Sequence, residues 1–296
     1  MAENDETAMT TEQKARLQVL VCTFGADGIR RVASSAHPRL DGVEYIVSWQ
    51  QEGATPLPES LRRPDFKVYA TDSTGLARNR NHALSKATAP LLLLSDDDVA
   101  YTAEGLQRVM NAFDSHPDCD LLTFRYESAS GTKYYPGSQF PLDAPPKGYF
   151  ASSIEIAFRR REPGKTIWFN EHFGIGADFP SGEEDIFIRD CLDAGMKGMF
   201  VPATVARHDG ATTSGRNLML SSRPLTKGAV FLRLHPRSWF ARMIAHALRE
   251  IPLWRQGKAP SPLSFCANWI KGVNRARRLK AFPTAAPASK PSGHEK

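Results

Sequence analysis

Leu91-Leu92-Leu93-Leu94-Ser95-Asp96-Asp97-Asp98-Val99-Ala100-Tyr101 joins four consecutive leucines to three consecutive carboxylates. A short unbroken apolar run behind a proline fits a strand buried on both faces of a parallel sheet. A packed strand has no reason to end in three adjacent negative charges, which repel one another and cannot be buried bare. At the carboxyl end of a central strand they would instead lie in the crevice where open α/β sheets bind ligands. Carboxylate oxygens there suit a hard divalent cation, and such a cation suits phosphate. Asp96 and Asp98 are two apart, so one ion is within reach of both. The competing reading makes the triplet the N-terminal cap of a helix starting near Ala103. An EF-hand is excluded, because the alternating ligands, central Gly and closing Glu are missing.

Working outward, the 296 residues fit one large domain or a domain with an appendage, 41% hydrophobic and 24% charged. No apolar run reaches the length of a membrane span. The acidic start, Met1 to Glu12, is unlike a signal peptide, so a cytoplasmic location is expected. Cys22, Cys119, Cys191 and Cys266 are far apart with no metal-like spacing, as expected of buried thiols in a reducing compartment. The net charge of +6 is uneven: residues 237–280 hold ten Lys/Arg and one acid. A nucleic-acid partner is not expected, since no recognition module accompanies that charge.

Strands are predicted at 17–24, 43–49, 66–70, 121–126 and 153–159, with the four-leucine run 91–94 leading into the acids as another and two short ones at 199–202 and 204–207. Helices are predicted over about 27–37, 76–87, 104–115 and 182–194. This alternation predicts an α/β fold, an αβα sandwich around a mostly parallel central sheet. Residues 1–15 and 283–296 are predicted to be disordered, the latter on Ala/Pro/Ser content.

Five pieces stand in a set order: Cys22-Thr23-Phe24, the segment Gly75-Leu76-Ala77-Arg78-Asn79-Arg80, the triplet Asp96-Asp97-Asp98, Gly182-Glu183-Glu184-Asp185 after Phe173-Gly174-Ile175-Gly176, and Val201 to His208. Together they resemble the family 2 glycosyltransferases of the GT-A fold, over about residues 17–235. The resemblance implies a GT-A domain over 16–235 and a metal-dependent, inverting enzyme that moves a sugar from a nucleotide sugar to a hydroxyl. The expected pathway is polysaccharide or glycolipid assembly. It implies Mn²⁺ or Mg²⁺ held by Asp96, Asp98 and His208. It implies a nucleotide contacted by Thr23, Phe24, Arg78, Asp96 and Asp97. The general base it implies is Asp185, with Glu184 as the alternative in a doubled-Glu register. Loop 211–217 would fold over the diphosphate, with Arg216 or Arg223 donating to it. Each role suits the residue: a divalent ion would neutralise the diphosphate as it leaves, and a carboxylate can take the acceptor's proton. One departure stands out. The second strand ends Ser48-Trp49-Gln50-Gln51, where the family often has an Asp that reads uracil, so UDP is expected only as the commonest donor.

The C-terminal part carries two basic amphipathic patterns over 236–282. Trp239, Phe240, Met243, Ile244, Ala247 and Leu248 make one stripe; Cys266, Trp269, Ile270 and Val273 make the other. Such helices suit an anionic membrane surface that presents a lipid-linked or glycan acceptor at the inner face of the cell membrane, or they pack on the domain. Two other readings compete with this one. A sugar-phosphate nucleotidyltransferase would need a long Gly-rich basic loop after the first strand, and Phe24-Gly25-Ala26-Asp27-Gly28 is short and acidic. A non-catalytic glycosyltransferase-like protein, binding membrane or glycan, would have no need of Asp96, Asp98, Asp185 and His208 together.

Overall fold

The computed structural model describes residues 14–128, 133–208 and 223–282. Residues 1–13 and 283–296, and the loop 211–217 with Arg216, lie outside the described residues; Arg223 opens a helix. The first four strands, β1 (Leu17–Phe24), β2 (Val43–Gln50), β3 (Phe66–Thr71) and β4 (Leu91–Asp96), pair in parallel in the order β3-β2-β1-β4. The helices between them are α1 (Gly25–Ser34) and α2 (Leu76–Lys86). Beyond β4 come β5 (Ala100–Tyr101), α3 (Ala103–Ser115), β6 (Leu121–Glu127), β7 (Phe140–Pro141) and β8 (Ile156–Arg159). The domain continues with α4 (Glu183–Asp193) and β9 (Gly198–Arg207). The sheet extends as β4-β8-β6-β9-β5. Strand β8 runs antiparallel to both β4 and β6, so β6 and its parallel neighbour β9 point the same way as β1 to β4.

The four leucines behave as the run requires. Leu91 and Leu93 enter the core on one face with Val19, Val21 and Ile29. Leu92 and Leu94 enter the core on the other with Leu20, Ile46 and Phe187. Alternation of side chains along a strand, with both faces covered, produces this division. Chain order then puts a site at one edge of the strands. The chain leaves β1 for β2 and β3 on one side and returns to β4 on the other, so the connections diverge at the carboxyl ends of β1 and β4. Cys22 pairs with Asp96 there.

The triplet does not cap α3. Thr102 does, its side chain accepting from the Gly105 N–H at 3.0 Å. The two short strands expected over 199–207 are one strand, β9, whose pairing with β6 shifts register between Thr123 and Tyr126. Such an irregularity bends a strand without ending it.

Three further helices follow: α5 (Arg223–Leu234), α6 (Trp239–Arg255) and α7 (Pro262–Arg278). The α5 and α7 backbones touch where side chains are missing. A Cβ on Gly228 would stand 2.1 Å from the Trp269 carbonyl oxygen, and one on Gly272 1.9 Å from that of Leu225. Trp269 is fully buried, so it packs the hairpin. The α6 stripe divides: Met243 and Ala247 are buried with Phe265, Trp269 and Val273, while Phe240, Ile244 and Leu248 stay exposed.

Candidate active site

Strand β1 ends in two unlike residues. Thr23 is buried, and its carbonyl accepts from Asn79 Nδ2 at 2.9 Å; Phe24 leaves its ring 56% exposed at the crevice. Trp49 belongs to the core, its Nε1 donating to the Gly25 carbonyl. Gln50 is buried and donates to Ser73 Oγ and the Gly75 carbonyl, which ties β2 to the turn opening α2.

Each carboxylate of the triplet has a different environment. Asp97 accepts from Arg31 on both oxygens (2.9 and 2.8 Å) and from Thr23 Oγ1 at 2.9 Å. Gly28 makes room for this cluster, because a Cβ there would fall 2.2 Å from Thr23 Oγ1 and 2.9 Å from Asp97 Oδ2. Asp97 therefore locks β1, α1 and the triplet together. Asp96 accepts from Ser153 Oγ at 3.1 Å and from Arg80 at 3.4 Å. Asp98 faces His208 at the end of β9, with Oδ1 and Nε2 3.1 Å apart. The hydrogen bond with His208 is the main reason the Asp98 carboxyl lies below the usual range, against burial.

Arg80 joins the triplet to α4. Its side chain is 2% exposed; Nη1 reaches Glu183 at 3.1 Å and Glu184 at 3.3 Å, while Nη2 reaches Asp96. The guanidinium also lies 5.4 Å from the centre of the Phe169 ring. Burial opposes its charge, but Glu184, Glu183 and Asp96 more than offset this, so its pKa rises. Three carboxylates share one guanidinium, and Glu183 is the most enclosed. Burial first, then the charge of Glu184, raises its pKa well above the carboxylate range.

Asp185, two residues on from Glu183, has no hydrogen-bond or ion-pair partner among the described residues, and solvent reaches its side chain. Protein crowding first, then the charge of Glu184, pushes its pKa up to about 6, with Lys133 opposing. Lys133 is itself held by the buried Glu155, at 2.7 Å.

A cleft of about 470 Å³ opens beside α2, lined by Thr74, Gly75, Arg78, Glu171, His172 and Asp178, with Arg275 reaching in from α7. Arg78 pairs with Glu171 and Arg275 with Asp178. The turn before α2 meets the 171–178 loop backbone to backbone: Leu76 N–H donates to the Ile175 carbonyl, and a Cβ on Gly176 would be 3.1 Å from Gly75 Cα.

Sequence reasoning left Arg80 weakly placed, since alternating Arg and Asn on a helix also fits a solvated face. Its place in the segment Gly75-Leu76-Ala77-Arg78-Asn79-Arg80, which the resemblance sets beside the nucleotide, is the signal the sequence offers. Arg31, Lys133, Glu155 and Arg275 were missed, because each reaches the site through contacts distant in sequence.

Among the described residues no three His, Cys, Asp or Glu side chains converge as a closed metal cage. Of the expected set Asp96, Asp98 and His208, only Asp98 and His208 meet, while Asp96 is engaged by Ser153 and Arg80; two side chains could hold a divalent ion only as an open site completed by ligand oxygens.

The sequence profile of Glycosyl transferase family 2 matches residues 26–180, just over half the chain. The chain belongs to this family and is a glycosyltransferase. The matched span contains Arg78 and the triplet and stops before Asp185 and His208. No curated protein sequence matches the chain.

Solved structures share the fold. S. aureus TarS 1–349 superposes with a TM-score of 0.55 at 15% identity, over 89% of this chain and 92% of that one. The same protein in complex with UDP-GlcNAc gives 0.53 at 14%, over 89% and 92%. The mannosyltransferase PcManGT from Pyrobaculum calidifontis, in complex with GDP-Man and Mn²⁺, gives 0.50 at 14%, over 90% and 76%. At these identities the likeness is one of fold.

Proposed function

We propose that this glycosyltransferase is metal-dependent and inverting, transferring a sugar from a UDP-sugar to a hydroxyl of a glycan or lipid-linked glycan. It works in the cytoplasm, at the inner face of the cell membrane, in polysaccharide or glycolipid assembly. The observation that carries the reading is the contrast within one helical turn: Glu183 and Glu184 are tied to Arg80, while Asp185 keeps an uncommitted carboxyl open to solvent.

The acceptor oxygen attacks the anomeric carbon from the side opposite the diphosphate, and Asp185 takes its proton as the new C–O bond forms. The bond from the anomeric carbon to the diphosphate oxygen breaks in the same displacement, which inverts the configuration. Asp98 and His208, with Asp96, would hold the Mn²⁺ or Mg²⁺; the cation supplies charge neutralisation for the departing diphosphate. Phe24 offers an exposed ring for the base, and Thr23 presents backbone beside it. Arg78 contributes a guanidinium at the cleft for phosphate or sugar oxygens, paired with Glu171 until a ligand arrives. Asp97, engaged by Arg31 and Thr23, acts on the nucleotide by holding the β1 terminus and the triplet in place. The pull of Arg80 on Asp96 and Glu184 holds the two halves of the site at a set distance.

The test is transfer from UDP-sugars and GDP-sugars, assayed with Mn²⁺, with Mg²⁺ and with EDTA, with the anomeric configuration of product read by NMR. Metal-dependent transfer with inversion is the expected result. Retention of configuration, or full turnover in EDTA, overturns the reading.

A further inference from the structure

We propose that the exposed face of the α6–α7 hairpin docks the protein on an anionic lipid surface. Phe240, Ile244 and Leu248 recur every four residues along α6 and are exposed, Leu248 at 60%. Leu263, in the first turn of α7, is 85% exposed, and Ile270 lies two turns further on. The helices run antiparallel, since Arg277 near the end of α7 stacks over Trp239 at the start of α6 (5.8 Å), and His246 meets Trp269 midway (5.6 Å). Stepping 100° per residue from the buried seam of each helix, Met243 and Ala247 on one and Phe265, Trp269 and Val273 on the other, turns both exposed rows in the same rotational sense. Opposite helix directions then bring the two rows to the same side of the pair. Large apolar side chains gathered on one side mark an interaction surface.

Charge selects the occupant. Arg237, Arg242, Arg249, Arg255, Lys258 and Lys271 are exposed around this hairpin, and among the described residues none forms an ion pair. Elsewhere the exposed cations are often neutralised, as Arg189 is by Asp193 and Lys165 by Glu162. The one acid within residues 237–280 is Glu250. A second copy of the chain would bring this basic region against its own likeness across a two-fold axis, setting like charges together. A nucleic-acid backbone would answer the charge but leave the apolar rows uncovered. An anionic bilayer answers both: side chains enter the acyl boundary while Arg and Lys reach the headgroups. The surface stands on these observations by themselves; only the consequence, that the acceptor is reached at the membrane, rests on the proposed transfer reaction.

The full chain is sedimented with phosphatidylcholine vesicles, and with vesicles containing roughly 30 mol% phosphatidylglycerol, across a salt series. Binding to the anionic vesicles alone, weakening as salt rises, is expected. The variant F240S/I244S/L248S, and separately R249Q/R255Q/K258Q, should each lower the partition coefficient about tenfold or more. Both should keep the wild-type melting temperature, because neither set lies in the hairpin seam. Absence of binding by the wild-type chain overturns the proposal, as does equal binding by the folded apolar variant. So does a dimer in sedimentation velocity that the apolar variant dissociates. Thermal shift by nucleotide sugar and Mn²⁺ is measured on the same samples. A donor shift without vesicle binding removes the docking surface and leaves the transferase reading intact; vesicle binding without a donor shift does the reverse.

Discussion

Asp185 and Glu184 are adjacent, yet their surroundings give them opposite work. Glu184 faces Arg80 at 3.3 Å, whereas Asp185 is exposed to solvent with no partner among the described residues. Asp185→Asn should therefore preserve the donor-induced thermal shift and lower kcat by about 10²–10⁴-fold, the usual worth of a general base. The pH profile supplies an independent check. A base works when ionised, so wild-type kcat/KM should rise with pH through an apparent pKa near 6, and the variant should lack that limb. An unchanged profile in the variant would exclude Asp185 as the base. Arg80 invites a stability measurement. Arg80→Met leaves Glu183 buried without its cation, which costs about 3–5 kcal/mol when such a pair is broken. Glu183 has a folded pKa above its unfolded value, so its favourable contribution is fully present below the unfolded pKa and is lost as pH rises through the folded one. The variant's deficit, measured by urea unfolding, should be smaller at pH 5 than at pH 8. An equal deficit at both would show that lost packing, including the contact with Phe169, is the whole effect.

Between elements, two close approaches depend on absent side chains. On α7, Gly272→Ala would drive a methyl group into the Leu225 carbonyl, a backbone atom that cannot swing aside. Separating α5 from α7 should cost about 1–3 kcal/mol, read as a lowered melting temperature with unchanged donor affinity. In α1, Gly28→Ala should behave differently, because the added methyl meets Thr23 and Asp97 where β1 and β4 end. Donor affinity should fall there by more than stability does. These contrasts were not legible in the sequence. A glycine inside a helix is ambiguous until the neighbouring helix is known, and Gly228, Gly272 and Gly28 give no local sign of what lies across from them. The four-leucine strand and the acids opening α4 were legible, because their signal is local: an apolar run bounded by turn residues, and charges where a helix dipole and a crevice both favour them.

At the scale of the molecule, ligand and fold are coupled. A nucleotide sugar with Mn²⁺ at a hundred times its dissociation constant should add ~2.7 kcal/mol of stability. For a chain of this size, with an unfolding entropy of about 2.1 cal/mol/K per residue, that corresponds to a melting shift of ~4 °C, and Asp98→Ala should abolish its metal-dependent part. The cysteines offer a check on packing: Cys22, Cys119 and Cys191 are buried thiols and Cys266 is partly exposed. A thiol reagent should label Cys266 first in the native protein and all four after unfolding, and dithiothreitol should leave the melting temperature unchanged.

The periodicity of the elements, their order, and the acids, glycines and arginines that mark a family 2 glycosyltransferase are written along the chain, because all are carried by neighbours a few residues apart. Which of those groups are already engaged depends on packing between distant elements. Asp97 is claimed by Arg31, Glu184 by Arg80, and Arg275 enters the cleft from a helix far along the chain. The division of the α6 stripe into a buried seam and an exposed row was settled in the same way, by α7 covering Met243 and Ala247. A charge or an apolar side chain looks alike in sequence whether or not it has a partner. Its partner is chosen by the packing of distant elements, and that packing sets whether the group holds the fold or remains open to a ligand.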